Sequence, residues 1–214
     1  MDASERRTRL NAFLAAAGLA RLDDETEGRF ESYLSLFIRW GRRLNLSGIR
    51  DDDEEHILSR HVVECIAVAR ALPPAIMNLL DFGSGAGLPG IPIALCRPEL
   101  TVMLAESQGK KAAFLQEAVR VLGIKAKVHA GRAETLGETF DCVILRAVDK
   151  MPKAVANATR LVAPEGWLAL MTTRGDIASL QTVAGTQIMW AEPLKLPVGN
   201  HRVLAMGRRI NSAA

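Results

Sequence analysis

Short apolar runs alternate with stretches of helical periodicity along the second part of the chain, and the alternation predicts its architecture. Apolar runs at 79–82, 101–105, 125–130, 141–145 and 167–172 read as strands, and the segments 109–122 and 150–162 read as helices between them. After one more helix, 186–190 and 202–206 read as two late strands. Strands spaced by helices predict an α/β fold, a mostly parallel sheet with helices on both faces and right-handed crossovers. In such a sheet the ligand belongs at the carboxyl ends of the strands.

The first part of the chain has only the helical period. Leu10, Phe13 and Leu14 favour an amphipathic first helix closed by Gly18. Arg6-Arg7 ahead of a short apolar run faintly resembles a signal peptide, but Asp2 and Glu5 dilute the positive end. Asp23-Asp24 then offers a cap, and Phe30, Tyr33, Leu34, Phe37 and Ile38 mark one face of a long helix reaching to about residue 43. The acidic run 51–55 reads as the start of a helix over 54–69, in which Ile57, His61, Cys65 and Ile66 share a face. A lone histidine on such a face is more often a packed residue bonded to backbone than a reactive one. Pro73-Pro74 closes this region, dividing the chain into a helical extension, 1–77, and a sheet domain, 78–214.

The chemistry concentrates after the first strand. Leu79-Leu80-Asp81-Phe82 runs into Gly83-Ser84-Gly85-Ala86-Gly87-Leu88-Pro89-Gly90, the grammar of strand, tight turn and helix. Glycines without a Cβ let a ligand approach the main chain and the free N–H groups of the following helix. Gly85, Gly87 and Gly90 also spell the G-x-G-x-x-G of dinucleotide-binding enzymes, with Glu106 about twenty residues on. A nicotinamide-dependent oxidoreductase therefore remains open on this motif alone.

The carboxyl-end rule selects further residues. Asp81 ends the first strand, Glu106 the second, Arg132-Ala133-Glu134 follows the third and Arg146-Ala147 ends the fourth. An ionised carboxylate at the end of the second strand can accept both hydroxyls of a ribose. Glu134 suits an adenine amino group or a neighbouring backbone. Taken singly, each would be read as a cap or a surface ion pair; their joint placement on one crevice is what points to a site.

Composition narrows the class. The 214 residues are 49% hydrophobic and 24% charged, which suits one substantial core with an appendage. Cys65, Cys96 and Cys142 are odd in number and widely spaced, as expected of reduced thiols in a cytoplasmic protein, and no zinc spacing links them to the four histidines. No run is long enough to span a membrane. Residues 1–77 carry 11 basic against 13 acidic side chains and residues 78–214 carry 16 against 11, an excess that accommodates nucleic acid without requiring it. Arg39, Arg42, Arg43 and Arg50 crowd around Trp40, Asn45 and Ser47 with no acid among them, a candidate RNA-contact surface. A solvated helix end would explain the same arginines. A non-catalytic RNA-binding assembly factor is thus a second alternative.

Leu80 to Pro92 resembles the first motif of Rossmann-like class I methyltransferases that use S-adenosylmethionine (SAM). More closely, the chain resembles the RsmG (GidB) family of bacterial 16S ribosomal RNA guanine-N7 methyltransferases. The matching stretches are Trp40, Asn45-Leu46-Ser47-Gly48-Ile49-Arg50, Arg60-His61, Gly83 to Pro92, Glu106-Ser107 with Lys110-Lys111 and Phe114-Leu115, Arg132-Ala133-Glu134, and Phe140-Asp141 running into Arg146-Ala147. The resemblance implies SAM contacts at Gly83, Leu88, Ala133, Glu134 and Arg146, with Glu106 on the ribose, and the open glycine turn adds Gly85 and Gly87 as cofactor contacts. It implies RNA contacts among Arg39, Arg42, Arg43, Asn45, Arg50, His61, Lys110 and Lys111, and as substrate the small subunit's RNA, at the 530 loop. Gly41, Glu64-Cys65 and Arg174-Gly175 depart from the family pattern. A monomer without metal is expected.

Guanine N7 has an in-plane lone pair and no proton at neutral pH, so it can take a methyl group without a general base. No Asn-Pro-Pro-Tyr or Asp-Pro-Pro-Tyr motif occurs, and Cys96 lacks the preceding proline of a cytosine C5 nucleophile. Alignment and electrostatics are the expected means of catalysis, with Arg146 placed near the reacting end and no covalent nucleophile.

Overall fold

The computed structural model describes residues 1–41, 54–197, 199 and 201–210. α1 (Ala3–Ala16) begins where Asp2 accepts the Glu5 N–H and ends before Gly18, which takes φ +68°. α2 (Asp24–Gly41) begins at Asp23, whose carboxylate accepts both the N–H and the hydroxyl of Thr26. It buries Phe30, Tyr33, Leu34 and Phe37, the face its spacing predicts. The rings of Trp40 and Phe114 meet edge-on at 5.8 Å, so this indole packs in part against a neighbouring helix.

The third helical segment departs from expectation. In place of an uninterrupted α-helix over 54–69, α3 (Glu54–His56) passes into a π-helical stretch, Ile57–Val62, and then into α4 (Val63–Ala71). A wider turn leaves no mark in a hydrophobic pattern read at 3.6 residues per turn, and such turns gather at functional sites. Pro73 then stops the helix.

The sheet contains β1 (Asn78–Phe82), β2 (Thr101–Ala105), β3 (Ala126–His129), β4 (Phe140–Arg146), β5 (Val162–Thr173), β6 (Ile188–Trp190), β7 (Leu194–Lys195) and β8 (Arg202–Arg209). Their order is β3-β2-β1-β4-β5-β8-β6, with β7 also paired to β8. The first five are parallel, whereas β8 runs antiparallel to β5, β6 and β7. Two late strands were expected and three are present; the last is reversed because short links join β6, β7 and β8, too short for a crossover. Reversal carries the first residue of β8, Arg202, to the edge where β1, β2 and β4 end.

Alternate residues of each strand serve opposite faces. Leu79, Val102, Ile144 and Met171 join one core with Leu14, Phe30, Phe37, Val62 and Ile66 from the leading helices, and with α5 (Gly90–Cys96) and α6 (Gly109–Leu122). Leu80, Val143, Leu145 and Leu170 face α7 (Met151–Leu161) and α8 (Ile177–Ala184). The leading helices therefore share an apolar core with the sheet. Among the described residues no helix is long and apolar enough to cross a membrane.

Candidate active site

The turn after β1 shows why its glycines are not equivalent. Gly83, Gly85 and Gly87 take φ of +73°, +59° and +86°, a region costly for residues with a Cβ. The N–H groups of Gly83 and Ser84 both donate to the carbonyl of Ala105, at 3.0 and 2.9 Å, stitching the turn to the end of β2. A Cβ on Gly85 would meet nothing nearer than the Gly83 carbonyl at 3.9 Å, so its side toward the cleft is open. Gly90 is the opposite case: a Cβ there would lie 2.4 Å from Leu104 Cδ2 and 2.6 Å from Asp81 Oδ2. The first is a glycine of access and the second of packing.

Asp81 supports the turn from below. Its buried carboxylate accepts the Ser84 hydroxyl at 2.6 Å and the Gly90 N–H at 3.0 Å. Burial pushes its pKa up to about 6 against the pull of those two donors. Tyr33, on α2, donates its buried hydroxyl to the carbonyl of Ala86 at 2.7 Å, fastening the turn to the helical extension. The helical spacing buries Tyr33 but says nothing of where its hydroxyl goes. Tyr33→Phe should leave that carbonyl unsatisfied and lower the unfolding free energy by about 1–3 kcal/mol, as urea denaturation would measure.

Glu106, just after β2, holds the turn from above. One carboxylate oxygen accepts the Gly85 N–H at 2.9 Å and the other the Gln108 N–H at 2.7 Å. Each oxygen keeps a further lone pair. The turn, Glu106 and the ends of β1, β2 and β4 enclose a cleft with two lobes. The larger, about 390 Å³, is lined by Gly83, Gly85, Leu88, Glu106, Lys111 and Arg146, together with His61 and Arg202. The smaller, about 290 Å³, is lined by Gly83, Ala133 and Glu134 with Arg132, Lys150 and Asn157. Gly83, Ser107, Val148 and Asp149 belong to both, so the lobes adjoin. Ala133 is buried, whereas Glu134 is exposed and accepts the Asn157 side-chain amide at 2.8 Å.

At the end of β4, Arg146 is held by several partners at once. Its guanidinium reaches Cys65 Sγ at 3.0 Å, the carbonyl of His61 at 3.5 Å and Glu64 Oε2 at 3.3 Å, and it donates to His61 Nδ1. Glu64 is 0% exposed and lies between two arginines, with Arg202 Nε 3.1 Å from its second oxygen. That second contact is an ion pair whose angles do not make a hydrogen bond, so Glu64 Oε1 and Arg202 Nε pair by charge alone. Burial raises the Glu64 carboxyl pKa against the pull of Arg146 and Arg202, and pushes the Cys65 thiol up to about 12, leaving it protonated and unreactive. The next residue, Ala147, turns at φ +49° and lines the larger lobe. Backbone strain of this kind gathers where a site demands it.

His61 was read from its helical face as a packed residue and from the resemblance as a candidate RNA contact. The π-helical stretch sets its partly buried ring at the cleft, with Nδ1 on Arg146 and the rings of His61 and His56 edge-to-face at 5.4 Å. Burial, then Arg146, His56, Arg60 and Arg202, lower its pKa to about 3, while Glu64 is the acid nearby. The unfolded chain binds a proton here near pH 6.5, and the folded chain only near 3. The stability this group contributes is therefore complete above pH 6.5 and lost as pH falls toward 3. Thermal unfolding scans should show that decline, and His61→Gln should flatten it.

The structure brings Gly83, Gly85, Leu88, Glu106, Ala133, Glu134, Arg146, His61 and Lys111 to the one cleft. Gly87 lies buried beneath it, Lys110 is exposed on α6 and Arg39 is exposed on α2; these three line neither lobe. Arg42, Arg43, Asn45 and Arg50 lie outside the described residues. Sequence reasoning missed Arg202, Glu64 and the Tyr33 anchor. Arg202 was hidden by the unrecognised reversal of β8, and Glu64 by its partnership with residues far along the chain. Among the described residues no group of three or more His, Cys, Asp or Glu is placed to hold a metal.

The fold is that of SAM-dependent methyltransferases. One similar solved structure is the magnesium protoporphyrin IX methyltransferase (ChlM) of Synechocystis PCC 6803 with bound SAM, with a TM-score of 0.58 and 20% identity over 89% of this chain and 99% of that one. A SAM-dependent methyltransferase from Aquifex aeolicus matches with a TM-score of 0.59 and 15% identity over 74% of this chain and 95% of that one. In sequence, the family model of GidB, rRNA small subunit methyltransferase G, matches residues 26–198. The ribosomal RNA small subunit methyltransferase G of Xanthomonas campestris pv. campestris (strain B100) is 38% identical over 184 residues, 82% of this chain and 83% of that protein. The chain belongs to the GidB family.

Proposed function

We propose that this protein transfers the methyl group of SAM to N7 of a guanosine in 16S ribosomal RNA, at the 530 loop, acting as a cytoplasmic monomer. The observation that carries the reading is the coincidence, at one point of a two-lobed cleft, of the open face of Gly85, the Glu106 carboxylate and the Arg146 cluster. The residues fit the cofactor. The unshielded backbone of Gly85 admits close approach, and the spare lone pairs of Glu106 suit two ribose hydroxyls. The smaller lobe, about 290 Å³ and lined by buried Ala133 and by Glu134, has room for the adenine base. SAM supplies an electrophilic methyl group that the N7 lone pair can take in line, with no proton to remove.

The protein's task is then positioning. His61 takes up a proton only near pH 3 and its Nδ1 lone pair already faces Arg146, while Cys65 stays protonated, so neither is assigned the part of base or nucleophile. Arg146 is fixed by four groups of the helical extension, which ties the reacting end of the cleft to the region expected to meet RNA. Lys111 at the cleft and exposed Lys110 beside it suit phosphates along one rim. N7 lies in a major groove that A-form RNA makes too narrow for side chains, so the guanosine is taken from a loop or splayed out. Cys65, Cys96 and Cys142 are free thiols, in keeping with a reducing compartment.

Incubation with SAM labelled on its methyl group should transfer label to small-subunit RNA. Glu106→Ala should weaken SAM binding in calorimetry and reduce labelling together. Absence of label on RNA, naked and in assembled particles, would overturn the reading.

A further inference from the structure

The geometry points to a role for His61 in choosing guanine: its Nε2–H donates to O6 of the base whose N7 is methylated. This rests on the proposed N7 reaction. A guanidinium carries only donors, so the His61 nitrogen facing Arg146, Nδ1, must be the acceptor. A neutral imidazole with Nδ1 as acceptor bears its proton on Nε2. That nitrogen has no partner among the described residues, and the ring lines the larger lobe beside Arg146, Ala147 and Leu88. The π-helical stretch Ile57–Val62 carries the ring there, and the Arg146–Glu64 pair keeps the guanidinium against it.

The Hoogsteen edge of guanine presents N7 and O6 side by side, both acceptors, whereas adenine places an amino donor where guanine has O6. A single N–H fixed beside the methyl-accepting nitrogen therefore attracts guanine and leaves two donors opposed for adenine.

The test uses small-subunit RNA carrying 2-aminopurine riboside in place of the target guanosine; this base keeps N7 and lacks O6. Wild-type protein should methylate it with kcat/KM lower by on the order of tenfold to a hundredfold. His61→Ala should lose a similar factor on guanosine and show a ratio between the two RNAs near one, and His61→Asn, which restores an N–H, should recover part of it. SAM binding measured by calorimetry checks that each variant is folded. If His61→Ala does not fold, the wild-type ratio and a nitrogen-15 NMR assignment of the His61 proton decide the matter. Equal rates of wild-type protein on both RNAs, a ratio retained in His61→Ala, or a proton on Nδ1 would overturn the inference. Failure of the N7 reading itself looks different, since unmodified RNA would then acquire no N7 label.

Discussion

Arg146→Ala is expected to reduce methyl transfer by at least about a hundredfold and to lower the unfolding free energy by roughly 2–4 kcal/mol. From sequence alone, the substitution should slow turnover without unfolding the protein. The structure changes the second half of that expectation. Removing the guanidinium strips Glu64, 0% exposed, of one of its two cationic partners and frees Cys65 Sγ and His61 Nδ1 of theirs. Truncating one member of a buried pair typically costs about 3–5 kcal/mol, and Arg202 at 3.1 Å from the same carboxylate moderates it here. Arg146→Lys keeps the charge but cannot serve several partners at fixed angles, so it should recover stability more than activity. Urea denaturation and single-turnover transfer on the same preparations separate the effects. A fully active Arg146→Ala protein would refute the role.

Gly90→Ala and Gly85→Ala should fail in different ways. At Gly90 the added methyl would stand 2.4 Å from Leu104 Cδ2 and 2.6 Å from Asp81 Oδ2, which face it from the paired strands β2 and β1 and are both buried. Overpacking here should cost about 2–4 kcal/mol and break the hydrogen bond from Gly90 N–H to Asp81. At Gly85 there is room for the methyl, and the backbone cost at φ +59° is about 1–2 kcal/mol. The new methyl would occupy the open approach to the main chain, so SAM affinity should fall by on the order of tenfold or more while the fold persists. Thermal unfolding and calorimetric titration with SAM measure the two effects. Equal loss of stability in both variants would show that access and packing are not divided as the contacts indicate.

Much of this arrangement was legible in the chain. The alternation of apolar runs located five parallel strands because the central ones, β1 and β4, are covered by helices on both faces and are largely apolar, and the same spacing carries on to β2, β3 and β5. Gly83 to Gly90 announced the turn, and the carboxyl-end rule brought Glu106, Ala133, Glu134 and Arg146 together. Direction was not legible: β8 has the same apolar pattern whether it runs up or down, and only its pairing with β5 puts Arg202 at the cleft. Neither was the π-helical turn at Ile57–Val62, or the meeting of His61 and Cys65 at the Arg146 guanidinium. Tyr33 and Glu64 act through partners 53 and 82 residues away, and local pattern carries no information at that range. The hydroxyl and the carboxylate could be counted in the sequence, but their acceptor and donors could not.

The most direct measurement is to let the protein methylate small-subunit RNA with labelled SAM and then map the modified base by chemical cleavage at N7-methylguanosine, confirmed by mass spectrometry of nucleosides. The predicted result is label confined to N7 of one guanosine in the 530 loop. Label on another atom or on adenosine would contradict it.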